Sequence, residues 1–149
     1  MPFFKLMHLF AVVIWVGGMF FAYMVLRQSA VEALQPPERL RLWNKVFARF
    51  FNWVWLAIFT LLTSGFYMIY HYGGFALMPN YIHLMLLLGI VMIVIFTYVF
   101  FSCYVRFSLL VEAKEWPKAG EMLATIRKLV ALNLAIGLLT VGVVVFGRG

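Results

Sequence analysis

Residues 81–104 read YIHLMLLLGIVMIVIFTYVFFSCY, a run without a single charged side chain. At ~1.5 Å per residue, a helix of this length crosses the ~30 Å hydrocarbon core of a bilayer. No alternating strand pattern is present, and backbone groups in lipid must find hydrogen-bond partners within their own segment. The stretch therefore predicts a membrane-spanning α-helix.

Three further apolar runs have a comparable length, and the predicted spans are residues 6–26, 50–71, 81–104 and 129–146. The first run could be mistaken for a signal peptide, but its apolar stretch is too long and three more crossings follow. We expect an all-α fold, an integral membrane four-helix bundle, with residues 1–149 forming a single membrane domain.

The composition agrees with this fold class, since 66% of the 149 residues are hydrophobic and only 11% are charged. Soluble domains are nearer half apolar and a quarter charged. The net charge of +7 comes from basic residues between apolar runs, which favours contact with the lipid bilayer and argues against nucleic acid. The single cysteine excludes an intrachain disulfide.

The basic residues predict the orientation. Ten of the 12 lysines and arginines, and all five glutamates, fall in residues 27–49 and 105–128, on one side of the membrane. By the positive-inside rule these segments are cytoplasmic and both termini are periplasmic. The predicted location is the bacterial inner (plasma) membrane, with multiple crossings. Short interfacial helices are expected within the two charged segments.

The three histidines share one predicted depth. His8 lies near the outer end of the first span, His71 closes the second span and His83 opens the third. Ionisable groups in spans usually face the bundle interior, which favours a functional role for His8 and His83. His71 fits a plain interface residue equally well.

The second span has most of its polar groups on one helical stripe that includes Thr60, Ser64, Tyr67 and His71. This stripe either lines a cavity or joins neighbouring helices through hydrogen bonds. In the first span Trp15 shares the face of His8, beside a glycine pair whose Gly18 allows close approach of a helix or a flat ligand.

Imidazoles from facing helices suit haem iron or copper, provided that the second ring nitrogen is held by a group such as Tyr67 or a backbone carbonyl. Met68 lies three residues before His71, and a thioether with an imidazole suits Cu(I). Most of the nine methionines are nevertheless expected to be packing residues. No acidic residue lies within a span, and no nucleotide-binding or hydrolase motif is present.

The opening Lys5-x-x-His8 with Trp15-x-Gly17-Gly18-x-Phe20 resembles the first helix of the copper-resistance D (CopD) superfamily, which includes the HemJ-type protoporphyrinogen oxidases. Residues 49–65, 81–88 and 133–141 resemble the second, third and last helices of these proteins. The resemblance implies a four-helix membrane bundle. In HemJ-type relatives it implies b-type haem held by the first-helix histidine, here His8, and in CopD-type relatives copper movement across the inner membrane. HemJ-type enzymes have Asn-Glu-x-Pro in the last helix, where this chain has Asn133-Leu134-Ala135-Ile136.

Three hypotheses stay open. The first is a haem b protein that transfers electrons in the membrane, with quinone or a membrane redox partner, and it allows a haem-dependent oxidoreductase. The second is copper binding or transport, and the third is an accessory subunit without a cofactor. The predicted metal ligands are His8, His83 and His71, and the predicted cofactor pocket adds Trp15, Tyr67 and Gly18. A homo-oligomer is compatible with each of these hypotheses.

Overall fold

The computed structural model describes residues 1–149 and is helical almost throughout. Four long helices follow one another, and each is long and apolar enough to cross a membrane. They are α1 (Pro2–Ala33), α2 (Pro36–His71), α3 (Asn80–Glu112) and α4 (Trp116–Arg148). A short 3₁₀ turn, Phe75–Leu77, lies between α2 and α3. The predicted all-helical membrane protein with four spans is confirmed.

Each helix boundary has a local cause. Pro36 and Trp116-Pro117 stand at the first helical positions of α2 and α4. Proline is tolerated there because its missing amide proton would have no partner within the helix and its fixed φ angle is already helical. Helix α2 ends because Gly73 and Gly74 adopt φ angles of 106° and 96°, which L side chains rarely adopt. The amide of Gly74 then donates to the carbonyl of Ile69 over 2.9 Å and closes the helix end.

The helices are longer than the apolar runs from which they were predicted. They contain 32 to 36 residues, so each rod is about 50 Å long, against a hydrocarbon core of ~30 Å. The charged segments continue α1 to α4 as helix, so the separate interfacial helices expected from the sequence are not formed. We call this charged end of the bundle, formed by residues 27–49 and 105–128, the basic end, and the end with both termini the opposite end.

Two π-helical turns interrupt the long helices, at Phe21–Leu26 in α1 and Val99–Tyr104 in α3. Both lie towards the basic end. Such turns insert an extra residue into the helix and are found disproportionately at functional sites. The extra residue also rotates the part of the helix after the turn relative to the part before it. Residues before and after a π-turn can therefore not be assigned to one face by counting 100° per residue.

Only 24 of the 149 residues are buried, because most apolar side chains point outwards. Phe59, Val94 and Phe101 are each more than 60% exposed, which fits a surface covered by lipid tails. Six of the 19 buried core residues are aromatic, and Phe47, Phe51 and Phe96 are among these buried rings. In the bundle α1 packs mainly against α2, and α3 mainly against α4.

One buried polar seam joins α4 to the other helices. The side-chain amide of Asn133 donates to the backbone carbonyl of Met92 over 3.1 Å. One turn further on, Gly137 lets Val16 and Met92 approach so closely that an added Cβ would lie 3.0 Å from Val16 and 3.2 Å from Met92. The seam therefore fixes the contact between α1, α3 and α4 near the middle of the membrane.

Candidate functional site

The clearest polar contact within the membrane joins α1 to α2. Nδ1 of His8 lies 3.0 Å from Oγ of Ser64, which is itself 2% exposed. His8 is about two turns into α1 and Ser64 about two turns before the end of α2, so antiparallel packing brings the two residues to one depth. The structure therefore places His8 against the neighbouring helix and not in open lipid.

The hydrogen bonds of Ser64 assign the protonation state of the histidine ring. Oγ of Ser64 lies 2.6 Å from the carbonyl of Thr60, an acceptor to which the hydroxyl must donate its one proton. The same oxygen can then only accept from His8, so Nδ1 of His8 has to carry the ring proton. In the neutral ring Nε2 then keeps its lone pair, which is the form of imidazole that binds metal ions.

The surroundings of the ring are aromatic and small. Gly65 is next to Ser64, and a Cβ built there would lie 3.5 Å from Cε1 of His8, so the ring edge lies in ordinary van der Waals range of this position. About one helical turn from His8 and Ser64, towards the opposite end of the bundle, the rings of Phe4 and Tyr67 stack with centroids 4.0 Å apart. Tyr67 in turn stacks on His71 at 6.3 Å. By its position along the helices, this aromatic pair lies between His8 and the opposite end of the bundle.

The other two histidines lie at the same end but are more exposed. The ring of His71 contacts Tyr67 and Tyr72. The ring of His83 stacks loosely on Phe75, with centroids 6.5 Å apart. No group of three or more His, Cys, Asp or Glu side chains is arranged to hold a metal ion. A metal ion bound by His8 would thus need sulfur, hydroxyl or backbone ligands, or a rearrangement of the other histidines.

Trp15 and Gly18 belong to the packed interior. Trp15 is 2% exposed and makes an edge-to-face contact with Phe96 at 6.2 Å. The ring of Phe50 lies directly against Gly18, so closely that an added Cβ would overlap it. The close approach predicted for Gly18 is made by a neighbouring helix, and the space that a flat ligand would need there is filled by Phe50.

The polar stripe of α2 is only partly internal. Ser64 is buried, while Tyr67 is 44% exposed. Thr60 donates its hydroxyl to the carbonyl of Leu56 in its own helix over 2.9 Å. Of the two roles considered for this stripe, the contacts of Ser64 correspond to the joining of neighbouring helices.

Ser64 is the residue whose role the sequence reasoning missed. Tyr67 or a backbone carbonyl was expected to hold the second nitrogen of a histidine, and for His8 the serine does so. The signal was present, since His8 and Ser64 are equally far from the same end of two antiparallel helices. Depth brings Ser64 into consideration, but the pairing also depends on which face of α2 meets α1.

The sequence model of a family described as copper resistance protein D matches residues 44–146, about two thirds of the chain. The match includes Ser64, His71 and His83 and leaves out α1 with His8. No curated protein and no solved structure matches.

Proposed function

Because the chain belongs to the copper resistance protein D family, we propose that it binds copper ions at the opposite end of the bundle and moves them across the membrane. The family description supports the choice of metal. The observation that carries the proposal is the contact between His8 and Ser64, which leaves Nε2 of a membrane-embedded imidazole free to bind a cation.

Copper in its Cu(I) state suits the chemistry at this end. Soft thioether and imidazole ligands select Cu(I) over harder divalent ions. Met68 is four residues after Ser64 and so lies one turn above it on the same face of α2. It is partly buried, as is Met7 beside His8. We propose that a thioether completes a low-coordinate site with Nε2 of His8.

Low coordination is compatible with transport. A cargo ion must be released, so a site with two or three neutral ligands is more suitable than a closed cage of charged ones. No aspartate is present, and the glutamates lie at the basic end, so nothing near His8 would hold a cation by charge. In the proposed orientation the site faces the periplasm of a bacterium and the basic end faces the cytoplasm.

Haem b held by His8 is the second candidate, since a histidine with its Nδ1 proton fixed is also a suitable iron ligand. Electron transfer with quinone or a redox partner belongs to this candidate. One observation favours copper over haem. Phe50 fills the space at Gly18. These residues do not fit a haem at Gly18.

One set of measurements on the detergent-purified protein separates the candidates. Copper predicts stoichiometric metal by elemental analysis after anaerobic loading with Cu(I), no visible absorption, and uptake of Cu(I) into proteoliposomes. Haem predicts a Soret band and sharp visible bands in the reduced state. A protein that retains neither metal nor haem, and that leaves copper flux into the liposomes unchanged, would refute both.

A further inference from the structure

The main cavity of the protein lies at the basic end, far from His8. It has a volume of about 280 Å³ and lies between the ends of α1, α2 and α4. Its lining includes three arginines, Arg27, Arg39 and Arg127, one from each of these helices. No acidic side chain lines it. The cavity is therefore a concave, positively charged surface at the basic end of the bundle.

The three arginines have no carboxylate partner. The ion pairs of the protein join Arg41 to Glu38 at 3.8 Å and Lys118 to Glu115 at 3.6 Å, and both are at the surface. Arg27 and Arg39 are half-buried, whereas Arg127 is exposed. A half-buried guanidinium is usually paired with a carboxylate or an anion, because desolvating an unpaired charge is costly.

Two of the guanidinium groups are held in place by their own helices. Nε of Arg27 donates to the carbonyl of Tyr23 over 3.2 Å, and the group lies 4.5 Å above the ring of Tyr23. Nη2 of Arg39 donates to the carbonyl of Leu34 over 3.3 Å. Nε of Arg39 is buried and has no hydrogen-bond partner at all. Because Nε is enclosed by protein atoms, an occupant of the cavity would contact the Nη groups of this guanidinium.

The rest of the lining is mainly apolar and includes four aromatic rings. Tyr23, Trp43, Phe47 and Trp116 contribute rings, and the deeper residues along α2 and α4 are hydrocarbon. Tyr23 lies in the π-helical turn of α1, the kind of local irregularity found at binding sites. An occupant must thus be amphipathic, with an anionic group for the arginines and an apolar part for the aromatic walls.

We propose that this cavity binds the phosphate of an anionic phospholipid. Planar guanidinium groups recognise phosphate oxygens through paired hydrogen bonds, and basic pockets between membrane helices are suited to lipid headgroups. The site is separate from the proposed copper site and does not depend on it. Free phosphate esters share the same recognised group, and the experiment distinguishes the two sources.

The test measures lipid binding to the whole protein by native mass spectrometry in detergent, with phosphatidylglycerol, phosphatidylcholine and glycerol 3-phosphate as probes. Phosphatidylglycerol is expected to bind best. Arg39→Gln should weaken its binding about tenfold, since it removes a charged hydrogen bond. Lys45→Gln makes the same change of charge at an exposed position of the same helix outside the cavity, and binding should stay unchanged.

A second pair of variants fills space without altering charge. Gly120 lines the cavity, and a Cβ added there meets no atom within 4 Å, so Gly120→Leu should block the site while α4 stays intact. Gly142 is equally unobstructed but lies outside the cavity, and Gly142→Leu should bind lipid normally. Equal losses in Arg39→Gln and Lys45→Gln, or full binding by Gly120→Leu, would overturn the proposal. Binding of glycerol 3-phosphate as tight as that of the lipid would overturn the lipid assignment.

Discussion

Nδ1 of His8 and Oγ of Ser64 lie 3.0 Å apart and connect α1 to α2 inside the membrane. The serine donates to Thr60 and accepts from the histidine, so one hydroxyl both anchors itself to its helix and orients the imidazole. Fixing the ring nitrogen that does not bind the metal is how proteins tune a histidine ligand. The proposed copper site therefore requires both residues, His8 as the metal ligand and Ser64 as the group that orients its ring.

The first prediction removes the serine hydroxyl. Ser64→Ala leaves Nδ1 of His8 without its acceptor, so the ring can rotate and change tautomer. The affinity for Cu(I) is expected to fall 10- to 100-fold, the usual effect of losing a residue that orients a ligand. Competition with a chromogenic Cu(I) chelator measures it. Thr63→Ala changes an exposed neighbour and is the matched control. An unchanged affinity for Cu(I) in Ser64→Ala would show that this hydrogen bond does not contribute to metal binding.

The second prediction concerns the histidine itself. His8→Ala removes the proposed ligand and should abolish retention of copper, or of haem if that is the bound group. His71→Ala should weaken or spare it, because this ring is exposed and contacts only aromatic neighbours. Elemental analysis and the absorption spectrum of the purified variants give the readout. Full retention by His8→Ala would show that the ligand is another residue.

The sequence was sufficient for the four spans, because long uncharged runs have no stable alternative in lipid. It was not sufficient for the helix ends, since charged helix in the headgroup region has no hydropathy signal. At the site, depth along the spans placed the three histidines at one end. The partner of His8 depends on which face of α2 meets α1, and Tyr67 and Ser64 differ in burial although they share a stripe.

The third prediction uses the two adjacent glycines of α1. An added side chain at Gly18 would overlap the ring of Phe50, whereas one at Gly17 meets nothing within 4 Å. Gly18→Leu should therefore destabilise the bundle by about 1–3 kcal/mol, the typical effect of overpacking. Gly17→Leu should leave stability unchanged or raise it by up to about 1 kcal/mol, because leucine is the better helix former.

Thermal unfolding in detergent, followed by circular dichroism, compares the two variants. A lower transition temperature for Gly18→Leu alone supports the close packing of α1 against α2. Equal transition temperatures would mean that Phe50 moves aside without cost, and that a flat ligand could occupy the same space.

The last prediction tests the orientation, which rests on the distribution of basic residues. Cys103 is the single cysteine, so a Cys103→Ser background has no thiol of its own. Single cysteines are then introduced by Ala76→Cys in the turn between α2 and α3, and by Ala113→Cys at the basic end, where both alanines are exposed. In intact bacterial cells a membrane-impermeant maleimide should label the first variant at once and the second only after permeabilisation, because basic segments are retained in the cytoplasm. The reverse pattern would place the His8 site on the cytoplasmic side, and the proposed copper movement would then begin from within the cell.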